Sequence, residues 1–316
     1  MTELVIKNGQ IITPEGLLSG GWIHCRDGKI AAVGQGSAPQ GEALDAQGGY
    51  VLPGFVDIHI HGVVGYDAMD GAVDSILNMS EFVAQCGVTS FLPTTLTASR
   101  EQTTQALQAI QQAMTIPHKG ARIVGVHLEG PYLNPYQSGA QNKECVRPID
   151  RDEFLEWLEL DVIRLVSVAP EQDDILWLIE TCKQRGITVS AAHTTADYDT
   201  AQKAIHAGLS HATHTYNAMP KLHHRNPGAL AALMLAPSVR CELIADNVHV
   251  HPAMMRLLHQ SIGTNRLILI TDAMRATGMP DGQYQLGEYD VTVQDTIARL
   301  ADGTLAGSTL TMNRAL

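Results

Sequence analysis

Aromatic residues and positive charge are both scarce in this chain, and each scarcity closes off a class of partner. Only 5% of residues are aromatic, and 33 acidic side chains stand against 21 basic ones, for a formal net charge of −12. A surface that grips nucleic-acid phosphates or anionic lipid needs the opposite balance, so neither partner is expected. No apolar run reaches the roughly 20 residues of a membrane span. The opening MTELVIKNG lacks the basic and apolar blocks of a secretory signal. Cysteine is sparse as well: Cys25, Cys86, Cys145, Cys182 and Cys241 are odd in number, and none stands in C-x-x-C spacing. Reduced thiols in a cytoplasmic protein are expected, not a disulfide frame or a thiolate zinc site. What the chain does have is 316 residues at 45% hydrophobic content, enough for one large α/β domain plus a small appendage. Its compositional excess is histidine, 14 in all.

Two textures divide the sequence. Residues 1–50 are short alternating runs separated by Asn-Gly, Asp-Gly and Gly-Gly turns, which predicts a small β domain, a sheet or half of a β-sandwich. From residue 51 to 316 strand and helix patterns alternate. Apolar strand candidates fall at 54–60, 88–94, 121–128, 162–169, 187–193, 211–216, 239–245 and 266–272. Helical periodicity fills most gaps, as in DSILNMSEFVAQC and REQTTQALQAIQQAM. Eight such strands suit a (β/α)8 TIM-like barrel; a doubly wound sheet is the alternative, but no G-x-G-x-x-G follows the first strand. The irregular stretch 131–150 has the length and Gly/Pro content of an active-site loop.

Polar residues mark the ends of these strands. VLPGFVDIHIHG closes in His59 and His61, which strand alternation turns to one side with Ile60 packed behind. Two imidazoles on one face make half of a divalent-metal site, although H-x-H also suits histidines that simply end a strand at the surface. Downstream, Glu129, His193, His214, Asp246, His249 and Asp272 all fall at or just past strand ends. In a barrel the catalytic groups come from those ends, so a metal centre is expected. His211, three positions before His214, is expected to face away, and His118, His206 and His259 lie on helical or connecting stretches. The donors are nitrogen and oxygen without thiolate, which suits zinc or ferrous iron. His223-His224-Arg225 is a basic run in an acidic chain: a phosphate clamp or a solvated loop.

In order, H-x-H, HLEGPYLNP, a strand-end histidine, THTYNAMPKLHHRNPG, ITD and DGTLAGSTLTMN resemble the N-acetylglucosamine-6-phosphate deacetylase family of the amidohydrolase superfamily, over nearly the whole chain. The resemblance implies a metal-dependent barrel with a small β-sandwich domain, a homodimer, deacetylating a 6-phosphorylated N-acetylhexosamine in amino-sugar metabolism. It implies one or two metals per chain, with Glu129, His193 and His214 at the principal ion and His59 and His61 at a second. Asp272 would be the general base and acid. Arg225 and the backbone of Asn217 and Ala218 would hold phosphate. Asp246, Asn247, Val248 and His249 would contact the sugar or its phosphate, Ala140 would touch substrate, and Leu305, Ala306 and Gly307 would close over it. Asn247 stands where the family commonly has Gly, and Asn226 where an acid is usual; both put fine specificity, not chemistry, in question. The chain stops at TMNRAL, inside the expected eighth barrel helix, so a truncated record is expected, with partner strands of the 1–50 sheet missing. The alternatives are a deacetylase for the galacto epimer and a non-catalytic sugar-phosphate binder; no strand-end lysine suggests a cyclic-amide hydrolase.

Overall fold

The computed structural model describes residues 3–316, and the chain divides into two compact units, the first ending at Gly54 and the second running Phe55–Leu316. In the first unit Glu3–Thr13, Gly16–Arg26 and Lys29–Gln35 form an antiparallel meander, while Ala43–Asp45 and Tyr50–Val51 pair parallel to the other edge of the first strand. The Asp27–Gly28 turn has φ of 50° and 73°. Positive values at both positions are those of the hairpin turn that suits twisted strands. The unit is one sheet, and the second layer of a sandwich is absent from its described residues.

Eight parallel strands build the second unit: Phe55–Ile60, Val88–Pro93, Val126–Glu129, Ile163–Val168, Thr188–Ala191, His211–Ala212, Arg240–Ile244 and Leu267–Ile270. Parallel bridges Thr94–His127 and Ile60–Ala273 join the two sheet segments and bring the last strand back to the first. A helix follows each strand, from Val73–Gln85 after the first to Met312–Ala315 after the eighth. The architecture is therefore a closed α/β barrel of the TIM type. Helix starts are coded locally: Ser99 and Gln102 form a capping box at Arg100–Thr115, and Asp150 and Asp197 cap the helices that follow them. Among the described residues no helix is long and apolar enough to cross a membrane.

The fifth, sixth and eighth strands end earlier than the sequence pattern predicts. His193, His214 and Asp272 have φ of 42°, 29° and 49°, so the chain leaves extended geometry just where each side chain must point into the barrel mouth. Three antiparallel strands, Gly282–Leu286, Tyr289–Gln294 and Ile297–Arg299, intervene between the eighth barrel strand and the last helix. The alternating YQLGEYDVTVQ carries their signal, beyond the eight predicted strands. Gly62 is required where the chain leaves the first strand, because a Cβ would collide with the carbonyl oxygen of Tyr66.

Along the third strand Leu128 packs in the apolar core, whereas His127 and Glu129 on either side meet polar groups inside the barrel. Leu128→Ala therefore removes outer packing without touching a polar partner. It is expected to cost about 2–5 kcal/mol, read as a lower urea midpoint, with metal content per folded chain unchanged.

Candidate metal centre and active site

Glu129 stands at the middle of the barrel mouth with an imidazole pair on each side. Its Oε1 lies 3.3 Å from His193 Nε2 and 3.2 Å from His214 Nε2. Its Oε2 lies 3.3 Å from His61 Nε2 and 3.7 Å from His59 Nε2. Two groups able to hold a metal result, His59–His61–Glu129 and Glu129–His193–His214, with the carboxylate common to both. Asp272 Oδ1 reaches within 3.3 Å of His61 Nε2 and 3.6 Å of His59 Nε2. All six side chains are buried.

Outer partners decide which nitrogen of His59, His61 and His193 faces the centre; His214 Nδ1 has none among the described residues. His61 Nδ1 lies 3.2 Å from the Thr94 carbonyl and His193 Nδ1 2.8 Å from the Gln137 carbonyl. A carbonyl only accepts, so both Nδ1 atoms donate, and both Nε2 lone pairs point inward. His59 Nδ1 likewise faces a carboxylate, Glu242 Oε2, at 3.1 Å. Inside, the Nε2 atoms of His59 and His61 are 3.3 Å apart, and those of His193 and His214 3.1 Å apart. Ring nitrogens this close require positive charge between them, carried by a proton or by a metal ion. The donor set and its orientation thus fit a divalent metal in each group.

The electrostatics agree. Burial disfavours a charged imidazole at His59, but the carboxylates of Asp272 and Glu129 outweigh it and hold its pKa well above the usual value. At His61 burial is likewise overcome, by hydrogen bonds to Asp272 and Glu129, and the group is pushed up to about 9. Desolvation opposes charge on Glu129 and Asp272 too, yet the imidazoles hold both carboxyls well below the ordinary range. His127, beside His59 with ring centres 4.6 Å apart, is pulled down to about 3 by burial and then by charge on His59. The pocket is built around anionic oxygen that calls for positive charge.

A cavity of about 420 Å³ opens over this floor, within the range of small-molecule sites. His61, Glu129, His193, His214, Asp272 and His249 line it, as do Asn217, Ala218, Ala140, Leu305 and Gly307. Ala306 is buried behind the wall. Asp246 acts from behind: Oδ1 accepts from the backbone N–H of Val248 and His249, and Oδ2 sits 2.7 Å from His249 Nδ1. Asn247 has φ 63° in that turn, which explains a position where glycine is common and Asn tolerable. Arg225 is not among the lining residues. It is exposed, with Nη1 2.8 Å from His224 Nε2, while Lys143 does line the cavity.

Several partners escaped the sequence reading. The loop 131–150 contributes Gln141, whose Nε2 donates to Glu129 Oε2 at 2.6 Å, and Ser138, buried on the cavity wall. Glu242 is fully buried mid-strand; a lone acid in the apolar run CELI was its available signal. His211 corrects the parity expectation: it faces inward, Nε2 3.6 Å from Glu242 Oε1. His214 adopts left-handed φ beyond the two-residue strand, so alternation does not govern the interval between them. His118, His206 and His259 pair locally with Ser80, Gln202 and Thr264.

Comparisons with known proteins converge on one chemistry. Residues 50–306 match the family model described as the amidohydrolase family. An N-acetylglucosamine-6-phosphate deacetylase of Bacillus subtilis (strain 168) is 40% identical, covering 98% of this chain and 81% of its own length. An N-acetylgalactosamine-6-phosphate deacetylase of Escherichia coli O157:H7 is 37% identical, covering 99% and 82%. Among solved structures, a mutant N-acetyl-D-glucosamine-6-phosphate deacetylase of Mycobacterium smegmatis in complex with N-acetyl-D-glucosamine-6-phosphate superposes with a TM-score of 0.92 at 34% identity. That match covers 100% of this chain and 82% of the other.

Elemental analysis after reconstitution is expected to approach two ions per chain. Changing both His59 and His61 to Asn should bring it towards one. Occupancy that never exceeds one in the unaltered protein would show that the pair holds no second ion.

Proposed function

The chain belongs to the amidohydrolase family, among its N-acetylglucosamine-6-phosphate deacetylases, and on that premise we propose that it hydrolyses the acetamide of N-acetylglucosamine 6-phosphate to the amino-sugar phosphate and acetate. The observation that carries this reading is the shared Glu129 between two histidine pairs, with Asp272 beside them on the cavity floor. An amide carbonyl is a poor electrophile and water a poor nucleophile at neutral pH. A divalent metal bound here supplies both corrections, polarising the carbonyl and bringing the pKa of water to about 7. Glu129, His193 and His214 would hold the principal ion and His59 and His61 a second; zinc and ferrous iron both suit the N/O donors.

The chain's own groups do the rest. Asp272, held ionised by its imidazole neighbours despite burial, takes a proton from the attacking water and returns it to the departing nitrogen. Its left-handed backbone, like that of His193 and His214, is strain of about 1–3 kcal/mol per residue that the packed barrel sustains. His249, held by Asp246, presents its other nitrogen to the sugar. Asn217 and Ala218, both on the cavity wall, would meet the phosphate, Ala218 through its backbone N–H because that of Asn217 already donates to the His214 carbonyl at 2.9 Å, with Arg225 as counter-ion. Leu305 and Gly307 bound the cavity beside them. We also read the protein as a cytoplasmic homodimer, from its charge, its cysteine usage and its family.

Asp272→Asn keeps the shape and loses the base, so kcat should fall by roughly 10²–10⁴ while metal content persists. Retention of more than a tenth of wild-type kcat would remove Asp272 from proton transfer. Acetate release from the gluco and galacto 6-phosphates, measured side by side, decides the epimer; a higher kcat/KM on the galacto substrate would overturn the assignment.

The phosphate contact has its own measurement. Wild-type enzyme should strongly prefer the phosphorylated sugar over the same sugar without phosphate. Arg225→Ala should lose most of that preference, chiefly through KM. If Arg225→Ala keeps the preference and Lys143→Ala loses it, the cavity lysine holds the phosphate instead.

A further inference from the structure

Glu242 touches no part of the cavity, yet it lies behind one ligand of each metal-binding group. It sits mid-way along the strand Arg240–Ile244 and is fully buried. Its Oε2 is 3.1 Å from His59 Nδ1 and also accepts the backbone N–H of His214 at 3.1 Å. Its main-chain carbonyl accepts the N–H of Thr215 at 2.9 Å. One residue thus grips the backbone on both sides of the His214 carbonyl group. This is the place where the chain turns out of the strand with φ 29°. Oε1 has no hydrogen-bond partner among the described residues; His211 Nε2 lies 3.6 Å away.

A buried, half-satisfied carboxylate is unfavourable for folding alone, since an apolar side chain of similar size would fill the space without desolvating charge. Its placement makes sense through what it does to its partners. A carboxylate only accepts, so it forces the hydrogen of His59 onto Nδ1 and leaves Nε2 free to face the shared Glu129. A side chain with no acceptor in the same place leaves the His59 hydrogen free to move to Nε2, where it points at the metal position. The same oxygen fixes the amide before the His214 ring, which belongs to the other group.

We propose that Glu242 is a positioning residue that sets the ligand geometry of both metal groups at once, through the tautomer of His59 and the backbone of His214. It touches neither substrate nor the reacting atoms. The proposal rests on the metal-binding reading of the two groups, so the test reads metal and tautomer and not activity alone.

The experiment uses the full chain loaded with zinc only. In wild-type protein carrying ¹⁵N-labelled histidine, His59 should show a hydrogen-bonded Nδ1–H proton that exchanges slowly with water. Glu242→Met, which removes the acceptor and keeps the bulk, with its fold checked by circular dichroism, should lose or shift that resonance and bind zinc about 10–100-fold more weakly in chelator competition. At saturating zinc its kcat should fall while KM stays close to wild type. Unchanged zinc affinity in the folded variant would overturn the proposal. So would a wild-type spectrum with the His59 proton on Nε2, a result that needs no variant to fold. Wild-type protein that takes up no zinc would defeat the metal reading itself, and this proposal with it.

Discussion

The structure depends on one buried carboxylate that four imidazoles share. Glu129 projects from the end of the third barrel strand, and its two oxygens divide the histidines into pairs, His59 and His61 on one side, His193 and His214 on the other. Such a cluster is unfavourable as a folding element, because desolvation opposes every charge in it. It is a fitting arrangement as a receptor for cationic charge. The absence of a strand-end lysine is accounted for by the same residue, since Glu129 itself occupies the position common to both groups.

Around that centre the barrel spends its irregular geometry. His193, His214 and Asp272 leave their strands in left-handed conformations, and strain of this kind persists only where the surroundings over-determine it. The restraints are visible. The Gln137 carbonyl holds the His193 ring, Gln141 holds Glu129, and Glu242 holds the backbone of His214. Two of these three come from the loop 131–150, so the long connection after the third strand orients metal ligands as well as walling the cavity. Asp57, buried beneath Asp272, binds Thr271 Oγ1 at 2.6 Å and supports the eighth strand end from below. Burial raises its pKa to about 6, against the lowering effect of that hydrogen bond.

Further from the centre the cavity wall is more polar and more exposed. The Asp246–His249 turn presents an oriented imidazole to the cavity, and Asn247 within it adopts a backbone that glycine would take more easily. The basic segment carrying Arg225 lies outside the cavity lining, whereas Lys143 lies on it.

The sequence alone was sufficient for the barrel and for the polar residues that gather at its mouth. Period-2 and period-3.6 apolar patterns are local, so they place Glu129 and the His59–His61 pair at strand ends, while His193, His214 and Asp272 fall just past strands that stop earlier than the pattern. The parity argument held for His59 and His61, at the end of a six-residue strand, and failed for His211 and His214, because the strand that begins at His211 has only two residues. Which nitrogen of the His59, His61 and His193 rings faces inward was decided by tertiary structure, through carbonyls and a carboxylate from other strands and loops. Glu242, Gln141 and Ser138 became functional candidates for the same reason, because distant segments converge on them. Local pattern reports the direction of a side chain from its own backbone. The partner that fixes its hydrogen, its charge and its rotation arrives from elsewhere in the chain, and only the folded arrangement brings it there.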